Sequence, residues 1–103
     1  MQSIVISGNI GSDPTLRQAG DYEVCTLNLA VNDWKSSKEE ASEPLWIKVS
    51  VWGNQAKACH ENLSKGDKII VNSNRMTLEQ WTDKETGEPR SQIALNAWTV
   101  EFC

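Results

Sequence analysis

Residues 45–52 read Leu45-Trp46-Ile47-Lys48-Val49-Ser50-Val51-Trp52. Side chains along a β-strand alternate between its two faces. Leu45, Ile47, Val49 and Val51 therefore share a core face, and Trp46, Lys48, Ser50 and Trp52 share the other. An ammonium and a hydroxyl between two indoles mark that second face as wet. Flat aromatic platforms beside positive charge suit single-stranded nucleic acid, whose bases stack and whose phosphates need neutralising. An aromatic wet face also suits a protein interface, so the strand alone leaves both readings open.

The flanking sequence supplies more strands. Ser3 to Ile10 is a β-branched run that ends in the turn cluster Gly11-Ser12-Asp13-Pro14. Thr15 to Gln18 resumes as a short extended piece, and Gly20-Asp21 makes a second turn. From Glu23 to Asn32, Cys25, Leu27, Leu29 and Val31 alternate with Thr26, Asn28, Ala30 and Asn32, the pattern of a half-buried strand. Asp33 to Pro44 is polar, carries Trp34 and Lys35, and reads as a long hairpin loop of the kind that often carries function.

Beyond Trp52, Asn54 is the expected N-cap of a short helix reaching about Leu63, with Ala56, Cys59 and Leu63 on one stripe. Ser64 to Asp67 closes it, and Gly66 suits a left-handed position. The next strand runs from Lys68 to about Trp81, but its apolar parity switches from Ile69 and Val71 to Met76 and Leu78. A period-2 pattern changes face only through an extra residue, which predicts a β-bulge near Asn72 to Asn74. Arg75, Thr77, Glu79 and Trp81 then share the wet face. Thr82 to Arg90 is a turn-rich hairpin tip, and Ser91 to Phe102 is the last strand.

Three strands, a helix and two strands in 103 residues predict an all-β, five-stranded Greek-key barrel, the OB-fold, with its one short helix between strands three and four. Trp34, Trp46, Trp52 and Trp81 all fall where that fold binds ligands, whereas Trp98 is assigned to structure or to an interface. The chain is expected to form a single domain over 1–103 with no acidic C-terminal tail. It contains no apolar run long enough for a membrane helix and no signal-peptide pattern at Met1 to Val5. Its three cysteines form no close pair, which fits a reducing cytoplasm. Cys59 and His60 lack metal-ligand spacing, and neither a metal nor a cofactor is expected. The net charge of −4 runs against nucleic-acid binding unless charge is segregated on the surface.

Several segments resemble bacterial single-stranded DNA-binding proteins. They are Gly8-Asn9-Ile10-Gly11-Ser12-Asp13-Pro14, Leu29-Ala30-Val31-Asn32, Val51-Trp52-Gly53, Leu63-Ser64-Lys65-Gly66 and Trp81-Thr82-Asp83-Lys84, in the family's order and near its spacing. The resemblance implies that Trp34, Trp46, Trp52 and Trp81 occupy base-stacking positions. It also implies a homo-oligomer, a tetramer before a dimer, with the first strand at a dimer interface. The sequence departs from the family pattern at Ile47, a position tied to assembly where His is common, and at Asn54, where Lys is common. Glu79 and Gln80 replace the basic residues that usually precede Trp81, and the strand around Asn72 to Asn74 is one residue longer. The family's recruiting tail for replication and repair proteins has no counterpart in these residues.

The expected function is sequence-independent binding and protection of single-stranded DNA in replication, recombination and repair. The expected contacts are Trp34, Trp46, Trp52 and Trp81 for bases and Lys35, Lys48, Arg75 and Lys84 for phosphates. No nucleophile–base pair is visible, so an enzyme is not expected. The expected location is cytoplasmic and nucleoid-associated. The alternatives are an accessory factor of the primosomal replication protein N type and a protein-interaction OB domain.

Overall fold

The computed structural model describes residues 1–31 and 44–103. Trp34 and Lys35, and nearly all of the expected loop from Asp33 to Pro44, lie outside the described residues. The elements are β1 (Ile4–Ile10), β2 (Thr15–Ala19), β3 (Tyr22–Val31), β4 (Leu45–Trp52), α1 (Asn54–Asn62), β5 (Lys68–Thr82) and β6 (Pro89–Phe102).

The sheet runs β1-β5-β6-β4-β3-β2, and an additional β1–β3 pairing closes it. β1 meets β3 at Asn9↔Ala30 and Ile10↔Leu29, and β2 meets the other half of β3 from Thr15↔Thr26 to Ala19↔Tyr22. Both lie along one edge of β3, so β1 and β2 are two arms of one bent strand, interrupted at Gly11 to Pro14. Counted this way, the six strands make the five-stranded OB barrel, with β4 and β6 in its parallel pairing.

The core is built by alternation. Cys25, Leu27 and Leu29 of β3, Ile47, Val49 and Val51 of β4, Ile69 and Val71 of β5, and Leu95 of β6 are almost fully buried. Leu45 departs from its expected core place: it is 53% exposed at the open end of β4. Ile47 lies in the core at 2% exposure, so this side chain faces the barrel interior and not a subunit surface. Ala56, Cys59 and Leu63 carry the helix onto the core. Burial, and then the neighbouring Cys25 thiol, push the Cys59 thiol up to about 11, while His60 is exposed.

The helix start differs from expectation. Asn54 is the first helical residue, and Gly53 is the N-cap, with no side-chain cap bond. Gly53 has φ 76°, a left-handed turn of the chain that glycine adopts at little cost. Gly66 adopts φ 96°, as its left-handed assignment requires.

The bulge falls where parity demanded it. The β5–β6 register shifts between Asn72 and Ser73 and again between Ser73 and Arg75. The pairs Asn72↔Thr99, Ser73↔Ala97 and Arg75↔Asn96 leave two residues unpaired in the ladder, Asn74 on β5 and Trp98 on β6. Ser73, 1% exposed, fills the gap: its hydroxyl lies 2.8 Å from the Asn96 carbonyl and accepts the Arg75 N–H at 3.1 Å. Trp98 is not core but 62% exposed.

Candidate nucleic-acid interface

Beyond the bulge, the register aligns one outer face across four strands. Ala30, Asn28, Thr26 and Val24 of β3 stand opposite Trp46, Lys48, Ser50 and Trp52 of β4. Lys48 and Ser50 stand opposite Ala94 and Asn96 of β6. Asn96, Ala94, Gln92 and Arg90 stand opposite Arg75, Thr77, Glu79 and Trp81 of β5. Three of the four Trp residues assigned to the site are therefore on one face, and Trp34 lies outside the described residues.

Trp46, Trp52 and Trp81 are 47%, 46% and 48% exposed. Each shows about half its surface to water although an indole gains much by burial. Trp46 and Trp52 lie six residues apart on one strand, about 20 Å by strand rise. The Trp52 Nε1 approaches Asn96 Oδ1 at 3.5 Å, and its cross-strand neighbour Val24 is fully buried outside the central core cluster.

The expected cations are not equivalent. Lys48 lies on the face, but its Nζ is 3.3 Å from Glu79 Oε1 and 3.5 Å from Oε2. Glu79 is on β5, two strands away, and Lys48 reaches it past Ala94, whose methyl leaves the route open. The pair is 31% and 44% exposed, a setting in which ion pairs contribute about 0–1 kcal/mol. Arg75 is exposed on β5 and has no ion pair among the described residues. Lys84 stands on the turn after β5, in an open concavity it shares with Trp81, Thr82, Asp83 and Glu85. Gln80 alternates with Glu79 and so shares the opposite side of the hairpin with Met76 and Leu78.

Arg90 was missed by the sequence reading. It stands opposite Trp81 and its Nε lies 3.4 Å from Asp83 Oδ2. The signal was available in the parity of the last strand, which becomes readable only once the register with Trp81 is known. Asp83 accepts the backbone N–H groups of Glu85 at 2.8 Å and Thr86 at 3.3 Å. Those two bonds, followed by Arg90, hold its carboxyl below the usual range.

The acidic balance is partly explained by such turns. Asp13 accepts the Lys65 N–H at 3.0 Å and Asp67 accepts the Ser64 N–H at 2.9 Å. These carboxylates fix loops. Among the described residues, the charged positions of the four-strand face are Lys48, Arg75, Arg90 and Glu79; Lys48 pairs with Glu79 and Arg90 with Asp83 of the adjoining turn, which leaves Arg75 as the cation with no ion pair.

A family model described as the single-strand binding protein family matches residues 1–103. The single-stranded DNA-binding protein of Helicobacter hepaticus is 30% identical over 102 residues, covering 96% of this chain and 59% of that protein. The single-stranded DNA-binding protein of Paenarthrobacter aurescens is 32% identical over 103 residues, covering 90% and 56%. The chain thus spans little more than half the length of these relatives. Among solved structures, the small single-stranded DNA-binding protein of Streptomyces coelicolor superposes with a TM-score of 0.80 at 18% identity, covering 98% of this chain and 93% of that one. The second single-stranded DNA-binding protein of Mycobacterium smegmatis gives 0.69 at 24% identity, covering 98% and 87%. These two likenesses bear on the fold.

Proposed function

The chain belongs to the single-strand binding protein family, and from that premise we propose that it binds single-stranded DNA without regard to sequence. The observation that carries this reading is the shared face of Trp46, Trp52 and Trp81, each half exposed, with Lys48 and Arg75 between them. Every base has a π-face, so indole platforms hold any sequence, and cations beside them neutralise the phosphates. Trp34 and Lys35 are proposed to join from the segment outside the described residues, and Lys84 from the turn beside Trp81. The role is to hold and protect the strand during replication, recombination and repair. It asks for no chemistry and no cofactor, and it places the protein with DNA in the cytoplasm.

The protein is further proposed to work as a homo-oligomer. β1 pairs with β5 from Ile4 to Asn9, and among the described residues its other edge meets β3 at Asn9 and Ile10. Val5 on this strand is 67% exposed. An apolar strand edge that the described residues leave open invites a second strand, and two copies of β1 would make a two-fold interface. The family likeness favours a tetramer over a dimer. Light scattering at micromolar concentration tests this, and a mass near 11.5 kDa, that of one chain, would overturn it.

Titration with oligo(dT) at low salt, read by intrinsic fluorescence, tests the binding itself. Strong quenching is expected because four of the five Trp residues are assigned to stacking. Unchanged emission, with no binding by a labelled oligonucleotide, would remove the proposal and leave the face as a protein contact.

A further inference from the structure

Two glycines carry no positive φ. Gly20, Gly53, Gly66 and Gly87 all do, and their residue type follows from the backbone; Gly8 and Gly11 need another reason. At Gly8 the reason is backbone packing: a methyl there would lie 2.5 Å from the Ala30 carbonyl oxygen. At Gly11 the obstacle is a side chain. A methyl there would lie 2.5 Å from Trp46 Cη2 and closer still to Cζ3. The benzo ring of Trp46 therefore rests on the bare Cα of Gly11.

The surroundings fix that contact. Trp46 stands opposite Ala30, whose small side chain lets the indole lie across β3 toward the end of β1. Gly11 donates its N–H to the Asn28 carbonyl at 2.8 Å, and Asn28 Nδ2 donates to Ser12 Oγ at 3.0 Å. The segment under the ring is thus tied to β3 on both sides of the contact and does not retreat. Half of the indole surface stays in water.

We propose that Gly11 is a positioning residue for base stacking: its missing side chain is the seat that holds the Trp46 indole in one pose with its remaining surface free. This rests on the DNA-binding reading above. The physical reason is entropic. A half-exposed Trp that is free to rotate must be ordered when a base stacks on it, and a ring already held on a pinned backbone loses less. Ala at position 11 meets no backbone strain, because φ there is ordinary. What must move is the far end of a half-exposed side chain, so the fold is retained and the ring is displaced.

The test uses 5-fluorotryptophan labelling, with the Trp46 resonance assigned through Trp46→Phe. Gly11→Ala should shift that resonance in the DNA-free protein, leave thermal unfolding near the wild-type temperature, and weaken oligo(dT) binding by as much as Trp46→Ala does. That is roughly 5- to 150-fold for one stacking platform. In a Trp46→Ala background, Gly11→Ala should weaken binding no further. An unmoved Trp46 resonance, or an equal loss with Trp46 already removed, would overturn the seat. If Gly11→Ala fails to fold, the double variant with Trp46→Ala decides: folding restored supports the ring contact, and folding still lost refutes it. If the wild type binds no oligo(dT), the function reading fails, while the fluorine shift still reports on the seat.

Discussion

Trp46 and Trp81 share one face but rest on different foundations. Trp46 rises from β4, whose other side carries Ile47, Val49 and Val51 in the core, and its ring lies on Gly11. Trp81 rises from the outer half of β5, where residues from Asn74 to Thr82 are exposed on both sides. Met76 and Leu78, on the side that should face a core, are 47% and 58% exposed, because the β5–β6 hairpin extends past the barrel. The first platform is held by packing, the second by a ladder and a turn. A strand backed by core presents a fixed side chain, whereas a two-sided hairpin must be ordered by what it binds.

The largest expected effect breaks that contrast if it fails. Leu27 is fully buried, and Leu27→Ala should destabilise the protein by about 2–5 kcal/mol. Leu78→Ala removes the same atoms from the hairpin and should change stability by no more than about 0.5 kcal/mol. Urea unfolding of both variants measures this. A comparable loss from Leu78→Ala would mean that the hairpin is packed against something, such as a second copy.

The next effect concerns the platforms. Trp46→Ala should weaken oligo(dT) binding within the range of about 1–3 kcal/mol for a stacked base. Trp81→Ala should lie at the low end, roughly 5-fold, because part of its stacking energy offsets ordering of the hairpin. Anisotropy of a labelled oligonucleotide ranks the two. A larger loss at Trp81 would show that backing by the core does not set the strength of a platform.

A smaller effect falls between the two Trp residues, at the ion pair of Lys48 with Glu79. A phosphate must compete with that carboxylate for Lys48. Glu79→Gln should release the ammonium, tighten binding, and steepen the log–log salt dependence by about 0.7, the increment for one phosphate on a single strand. Gln80→Lys, on the opposite side of the hairpin, should leave the slope unchanged. If Glu79→Gln leaves the slope unchanged as well, Lys48 does not reach the strand.

The same contrast explains what could be read from the residues. Alternation was decisive wherever one face met a core, so Trp46 to Trp52 and Cys25 to Leu29 were legible. The β5 bulge was legible because Ile69 and Val71 conflict in parity with Met76 and Leu78. Its counterpart at Trp98 carried the same signal, with Ile93, Leu95 and Ala97 odd and Val100 and Phe102 even, but the sequence reading took Ser91 to Phe102 as one uninterrupted strand. Gly53 was not read as the N-cap because Asn54 beside it is the commoner capping residue, although glycine is itself the residue that a positive φ favours. The long-range contacts of the face, Lys48 with Glu79 past Ala94 and Trp46 on Gly11, join residues 31 and 35 positions apart. Only the folded register brings them together.

The smallest effect sits at the hairpin tip and tests whether the turn orders Trp81. Asp83 Oδ1 accepts the Glu85 and Thr86 N–H groups, and Oδ2 meets Arg90, which stands opposite Trp81. These donors favour the charged carboxyl, so its pKa is lowered in the folded protein. The sign follows from linkage. A group with a depressed folded pKa contributes stability above its unfolded value, about 3.9 for Asp, and that contribution is lost as pH falls through the lower folded value. The site is solvent-exposed, so the loss should be local. The amide resonances of Glu85 and Thr86 should titrate together with a midpoint below about 3.9, and the Trp81 side-chain signal should move with them. Trp46 on its core-backed strand should not respond. Asp83→Ala should abolish the shared midpoint and leave the barrel resonances in place. Amides that titrate at or above the ordinary carboxyl value would show that the carboxylate does not hold the turn. A Trp81 signal that ignores the transition would show that the turn does not order the ring.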